Sequence, residues 1–286
     1  MPRLTIPPKL AETCRGSAES AAWLAALPET VADVTGRWSV TIGAPFDEEA
    51  SCSWVAPCVT RDGAAAVVKL GMPHMEARDE VHALRFWDGD AAVRVLQADV
   101  ALNAMLLERC EPGVPLRDQP EPEQDVIIAG LLRRLWRNPP APHPFRRLCE
   151  MTAWWEKEAL GDAGTWVDPS LTRDGIRLLN ELAADGPCEA LLATDLHAGN
   201  VLRAEREPWL AIDPKPFVGD TAYDATQHLF NCGERLRADP DGTIRRFADL
   251  LEVDHERVRL WLFAREAVDL RRQAHEAGSL VRVLAP

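Results

Sequence analysis

Leu191-Leu192-Ala193-Thr194-Asp195-Leu196-His197-Ala198-Gly199-Asn200-Val201-Leu202 is the stretch on which the reading of this chain turns. An Asp stands five residues before an Asn, between apolar segments. Thirteen residues after Asn200 comes Ile212-Asp213-Pro214-Lys215-Pro216. Seven residues after Asp213 comes Gly219-Asp220, followed by Tyr223-Asp224. Phosphoryl transfer to an alcohol needs few protein groups, but they must be well placed. One carboxylate orients the hydroxyl and accepts its proton, while a second carboxylate and an amide oxygen hold Mg²⁺ against the polyphosphate. Mg²⁺ favours hard oxygen ligands and takes few of them from the protein. Asp195 fits the first role, and Asn200 and Asp213 fit the metal roles.

Upstream of this stretch the texture is that of a small sheet. Arg37–Gly43, Ser53–Val59, Ala64–Leu70, Val93–Gln97 and Ala104–Arg109 read as strands, and Arg61-Asp62-Gly63 is a turn of the kind that closes hairpins. Gly71-Met72-Pro73 ends the third strand, and apolar spacing predicts a helix over 74–87. An earlier helix is predicted over 9–34. The reading is therefore an antiparallel sheet of about five strands with one helix inserted after the third. Cys110-Glu111-Pro112-Gly113-Val114-Pro115 breaks the pattern and marks a boundary, giving domains 1–109 and 110–286. Beyond it the chain is mainly helical, with helices expected over 122–137, 144–160, 171–185, 221–237 and 254–277. Two short strands, Asn200–Arg203 and Trp209–Ile212, interrupt them.

The 286 residues are 47% hydrophobic and 27% charged, an ordinary globular composition that supports a large core. A net charge of −13 argues against nucleic acid and anionic membrane surfaces as partners and suits a cationic small molecule. The seven cysteines are scattered, without a C-x-x-C pair, so neither a disulfide framework nor a zinc site is indicated. No apolar run reaches membrane-spanning length and no signal-peptide pattern opens the chain, so a cytoplasmic location is expected.

The wording T-D-L-H-A-G-N-V-L, I-D-P-K-P and G-D resembles the aminoglycoside phosphotransferases, most closely their streptomycin 6-kinase and hydroxyurea phosphotransferase branch. The resemblance runs from about residue 37 to 235 and is densest over 190–225. It implies an α+β, two-lobed protein-kinase-like fold with an antiparallel N-lobe sheet and a helical C-lobe. It further implies Asp195 as catalytic base and Asn200 and Asp213 as Mg²⁺ ligands. Lys69 matches the lysine on the α- and β-phosphates, and Glu80 matches its helix partner, with Glu76 as the alternative. Leu107-Glu108-Arg109-Cys110 matches the hinge whose backbone reads the base of ATP or GTP. Asp220 matches a structural Asp that braces the loop, and Asp224 has a similar supporting role. His197 either braces the loop or contacts a phosphate or the substrate.

Three departures from the family pattern stand out. Ala193-Thr194 replaces His-Gly before the base. The nucleotide-covering loop, Ile42 to Ser51, has one Gly and three acids. Pro-Lys-Pro follows the metal Asp, so that Lys215 is expected to pair with Asp220 or Asp224, or else to touch a phosphate. The expected activity is O-phosphorylation of a small polar acceptor, with an aminoglycoside such as streptomycin first and hydroxyurea or another small metabolite second. A kinase-like protein that binds nucleotide without catalysis is the alternative from another class. His-Arg-Asp, Asp-Phe-Gly and Ala-Pro-Glu are all missing, which argues against a protein kinase. Nothing in the sequence sets an oligomeric state.

Overall fold

The computed structural model describes residues 4–46, 51–186, 189–269 and 277–285. Two compact units result, Met1–Val114 with Arg203–Ile212, and Pro115–Leu202 with Asp213–Pro286. The chain thus passes between units three times, where the sequence suggests one boundary.

In the first unit, helices α1 (Pro8–Thr13) and α2 (Ala18–Trp38) precede strands β1 (Thr41–Ile42), β2 (Ser53–Val59) and β3 (Ala65–Gly71). Helix α3 (Glu80–Trp87) and strands β4 (Val95–Asp99) and β5 (Ala104–Glu108) follow. The strands form one antiparallel sheet in the order β1-β2-β3-β5-β4. Side chains alternate along β2 and β3, so Trp54, Ala56, Val68 and Leu70 lie on one face. That face packs against Leu27, Val31 and Val34, which recur at helical spacing along α2.

The expected helix over 9–34 differs in two ways. It breaks after Thr13, where Ser17 caps a new start by accepting from the Ser20 N–H at 3.1 Å. It also runs on to Trp38, consuming the start of the expected strand 37–43, and stops where Ser39 turns left-handed at φ 53°. The expected helix over 74–87 opens as a 3₁₀ turn at Glu76–Asp79 before α3 begins. The acids of the nucleotide-covering loop, Asp47, Glu48 and Glu49, lie outside the described residues.

The second unit holds α4 (Glu121–Leu135), α5 (Leu148–Gly161), α6 (Pro169–Ala184), β6 (Ala190–Leu192), β7 (Val201–Arg203, its last residue in the first unit), β9 (Phe217–Gly219), α7 (Thr221–Asn231), α8 (Gly233–Ala238), α9 (Pro240–Leu251), α10 (His255–Asp269) and α11 (Ala277–Leu284). Between β7 and β9, β8 (Trp209–Ala211) belongs to the first unit, where Ala211 bridges Ala92. Helix α9 has no counterpart in the sequence reading. Its start, Pro240-Asp241-Gly242, carries loop signals, yet Asp239 caps it by accepting from the Gly242 N–H at 3.0 Å. Part of the expected helix 254–277 lies outside the described residues; α10 ends at Asp269. Deep in this unit Asp125 is fully buried and saturated, accepting from Arg235 at 2.7 and 2.8 Å, Arg246 at 3.1 Å and His228 at 2.8 Å. Two guanidiniums on one carboxylate leave no room for a cation there. No helix among the described residues is long and apolar enough to cross a membrane.

Candidate active site

Alternation along β3 puts Lys69 on the face opposite Val68 and Leu70, in register between Val55 and Met105. Helix α3 begins at Glu80, and Lys69 Nζ donates to Glu80 Oε1 at 2.5 Å. The pair is deeply buried, with 5% of Lys69 and 1% of Glu80 exposed. Such burial is made tolerable by each charge neutralising the other.

At the end of β5 the structure gives Glu108 a role beyond the one expected of a hinge residue. Its carboxylate takes Arg206 in a two-pronged pair, at 2.6 Å from Nη2 and 3.0 Å from Nε. Arg206 also donates to the carbonyls of Gly89 at 2.7 Å and Ala92 at 3.1 Å. The hydrogen bond to Glu108 raises the guanidinium above its ordinary value. Glu108 thereby staples residues 203–212 to the sheet. Its own N–H is engaged by the Arg94 carbonyl at 3.0 Å, so only its carbonyl is left for a base edge. Cys110 is buried, and burial pushes its thiol up to about 12, so it is a neutral group rather than a thiolate.

The second unit carries the Asp195 loop. Strands β6 and β9 pair antiparallel, Ala190 with Gly219 and Leu192 with Phe217, which brings the segment after β6 beside the one before β9. The Ala193 carbonyl accepts from the N–H groups of both Asp195 and Lys215, each at 2.8 Å. Thr194 Oγ1 donates to the Lys215 carbonyl. Within the loop, Asn200 Nδ2 donates to the Asp195 carbonyl at 3.0 Å, which leaves the amide oxygen as an acceptor. Asp213 sits in the left-handed region at φ 53° and Thr194 does so at φ 50°. Backbone held in that region by residues other than glycine concentrates at functional sites.

His197 turns inward. Its Nδ1 accepts from the Gly199 N–H at 3.1 Å, capping the turn that carries Asn200. Burial lowers the imidazole below its ordinary value, against the raising field of Asp195, and favours the neutral ring that this hydrogen bond needs.

The expected pairing of Lys215 with Asp220 or Asp224 gives way to another. Lys215 Nζ donates to Asp195 Oδ2. Asp220 instead caps α7 through the Ala222 N–H at 3.0 Å and takes Arg257 at 2.5 Å and Trp261 at 2.6 Å, both from α10. It ties two helices together. The residue that grips the loop is Asp224, accepting from Ala193 N at 3.0 Å, Thr194 N at 2.7 Å and Trp136 Nε1 at 2.9 Å. Full burial pushes its carboxyl up to about 6, despite those three donors.

Comparisons with known proteins show the family. Residues 37–275 match the family described as aminoglycoside/hydroxyurea antibiotic resistance kinase. The chain belongs to that family. It is 38% identical over 273 residues to streptomycin 6-kinase of Streptomyces griseus, covering 91% of this chain and 88% of that one. It is also 38% identical over 260 residues to hydroxyurea phosphotransferase of Kitasatospora aureofaciens, covering 87% and 74%. Among solved structures, choline kinase of Streptococcus pneumoniae superposes with a TM-score of 0.61 at 15% identity, covering 90% of this chain and 95% of that one. That likeness shows the fold, which is protein-kinase-like. As a member of the resistance-kinase family, the protein is an enzyme, a phosphotransferase acting on a small molecule through a hydroxyl group.

Membership puts the Ala193-Thr194 departure in physical terms. At the position where the family pattern has Gly, this chain holds Thr at φ 50°, locked by Asp224 on its N–H and Lys215 on its hydroxyl. Loop rigidity is supplied from α7 and the 213–216 segment. Trp136 is the residue of this assembly that the sequence does not reveal, while Lys215 is legible there but with Asp220 or Asp224 as the expected partner in place of Asp195. The Pro-Lys-Pro spacing signals a fixed backbone around Lys215, but no local pattern announces Trp136.

Proposed function

We propose that the protein transfers the γ-phosphoryl group of ATP, with Mg²⁺, to a hydroxyl of an aminoglycoside of the streptomycin type, so inactivating it. The observation that carries this reading is the Asp195 loop. Its base and its amide are locked together by the Asn200–Asp195 hydrogen bond at 3.0 Å, five residues apart. Asn200 keeps its amide oxygen for a cation, and Asp213 adds a carboxylate; both are hard oxygen donors that fit Mg²⁺. Bound there, the ion would neutralise charge on the phosphate oxygens. In this reading Lys69, aligned by Glu80, holds the α- and β-phosphates. The carbonyl of Glu108 and the N–H of Cys110 read the base, and GTP is the other nucleotide they would accept. Asp195 orients the acceptor hydroxyl and takes its proton as the new O–P bond forms. Asp220 and Asp224 support from behind, and His197 braces the loop. Because its substrate nucleotide is cytoplasmic, we place the enzyme in the cytoplasm.

Relatives named streptomycin 6-kinase support this acceptor, one of them matched over 91% of this chain. A net charge of −13 is compatible with a cationic acceptor. Hydroxyurea is the second reading, favoured by the relative of equal identity, whose own length is less fully covered.

The test is nucleoside diphosphate release from Mg·ATP against a panel of streptomycin, other aminoglycosides and hydroxyurea. Release stimulated by streptomycin and abolished in Asp195→Ala is the expected result. Stimulation by hydroxyurea alone would move the acceptor to the second reading. Near wild-type turnover in Asp195→Ala would remove Asp195 as the base.

A further inference from the structure

Lys215 is held as firmly as any residue of the candidate site. Its N–H donates to the Ala193 carbonyl at 2.8 Å, its carbonyl accepts from Thr194 Oγ1, and prolines 214 and 216 fix φ on either side. The backbone is therefore pinned to the two residues that precede Asp195. From that anchor the side chain reaches back, and its ammonium rests on Asp195 Oδ2. The pair is partly open to solvent, with side-chain exposures of 22% for Lys215 and 16% for Asp195. Both groups can therefore be reached by a ligand, and a contribution to folding does not by itself explain why the partner is Asp195. The lysine's place beside the proposed base needs another account.

We propose that Lys215 is a further catalytic residue, one that bridges the base to the phosphoryl group in flight. This rests on the reading of Asp195 as the base. During transfer the acceptor oxygen bonds to the γ-phosphorus while its proton passes to the Asp195 carboxylate. The bond from γ-phosphorus to the β-bridging oxygen breaks, and the nucleoside diphosphate leaves with that electron pair. The acceptor oxygen must lie within hydrogen-bond reach of Asp195 and about 3–3.5 Å from the phosphorus beforehand. A cation already touching Asp195 is then within reach of the equatorial phosphoryl oxygens, where charge concentrates. An ammonium has three donors, so Lys215 keeps Asp195 with one and offers the others to phosphoryl oxygens. Asp195 retains lone pairs for the acceptor, since a carboxylate accepts at about four sites. Without substrate, the same contact neutralises Asp195 and holds it in a fixed rotamer.

Phosphate recognition by Lys215 predicts a signature that a bracing lysine does not have. Its ammonium meets the γ-phosphoryl group, so its loss should weaken a non-hydrolysable triphosphate analogue and spare the diphosphate. In Lys215→Met, calorimetry should show the Mg-bound triphosphate analogue weakened by about 10- to 100-fold, the usual worth of a charged hydrogen bond. Affinity for the Mg-bound diphosphate should stay within about threefold. Turnover should fall roughly 10²- to 10³-fold, as when one preorganised charge donor is removed, with acceptor KM much less affected. Lys215→Arg should recover a large part of both losses. Equal weakening of triphosphate and diphosphate, or a far-ultraviolet spectrum and melting temperature showing a damaged fold in Lys215→Met with no recovery in Lys215→Arg, overturns the proposal. Unchanged turnover and triphosphate affinity also overturns it. Asp195→Asn, measured in parallel, keeps the two readings apart. If Asp195→Asn abolishes transfer while Lys215→Met does not, only the lysine proposal fails. If neither variant affects transfer, or the wild type binds no nucleotide, the kinase reading of this loop fails with it.

Discussion

Replacing Asp224 by asparagine should separate catalysis from folding. Asp224 Oδ1 accepts from Thr194 N at 2.7 Å, and Oδ2 accepts from Ala193 N at 3.0 Å and Trp136 Nε1 at 2.9 Å. An amide keeps one oxygen, which is best placed on the side with two donors. Its NH₂ then faces the Thr194 N–H, so one hydrogen bond is lost and a buried donor meets a donor, at a cost of about 1–3 kcal/mol. Opposing this, a carboxyl raised by burial to about 6 burdens the fold by roughly 3 kcal/mol at neutral pH when ionised, a cost the neutral amide does not carry. The two nearly cancel, so the urea midpoint at pH 7 should move little. Turnover should not survive. Thr194 is held at φ 50° directly before Asp195, and a loop displaced by about 1 Å costs on the order of a hundredfold. The pH dependence adds a second signature. A carboxyl with a raised folded-state pKa binds more protons in the native state. Its favourable contribution is complete below the ordinary carboxylate value and is lost as pH rises through about 6. Between pH 7 and 5 the wild type should therefore gain about 1 kcal/mol that the Asn variant does not. His197, whose value burial lowers, acts in the opposite sense in both proteins and drops out of the comparison. Full turnover in Asp224→Asn, or an identical stability slope with pH in the two proteins, would refute the reasoning.

Two other substitutions probe the scaffold. Lys69→Met removes the cation paired with the buried Glu80 carboxylate and should destabilise the protein by about 3 kcal/mol in urea unfolding, part of it restored by adding Glu80→Leu; a single variant as stable as wild type would show that the pair does not hold this part of the fold. Thr194→Gly relieves left-handed strain of about 1 kcal/mol but loses the hydroxyl bond to Lys215 and frees the unfolded chain, so calorimetry should show net destabilisation of about 1 kcal/mol or less; a loss several times larger would mean that the side chain, not the backbone, holds the loop.

The sheet was legible because its signals are local. Ser53–Val59 alternates along its length, and Gly63 closes the hairpin at φ 88°. Strands β6 and β9 were not seen as strands because three residues are too few for a period to show. Helix α9 was missed because Pro, Asp and Gly in a row read as a loop, although Pro and Asp are equally at home in a capped first turn. At the site, chain order and spacing pointed to Asp195, Asn200 and Asp213, which share one stretch. Partners chosen by tertiary packing were another matter. Asp220 finds Arg257 thirty-seven residues on, and Asp224 finds Trp136 eighty-eight residues back. Nothing periodic links such pairs, so the sequence offers for Lys215 only the nearby acids Asp220 and Asp224, and for Asp220 only the loop-bracing role that the family resemblance implies.

The return of residues 203–212 to the first unit also sets an order of events at the ribosome. Arg206 fastens this segment to Glu108 and to the carbonyls of Gly89 and Ala92. Roughly a hundred residues are synthesised between the end of the unit's first part and its last strand, which at about 5–20 residues per second is on the order of 5–20 s. Through that interval the nascent sheet waits with its Arg206 seat empty. The cell thus makes this N-terminal body in two instalments, and a gene fragment ending at residue 114 encodes an unfinished object.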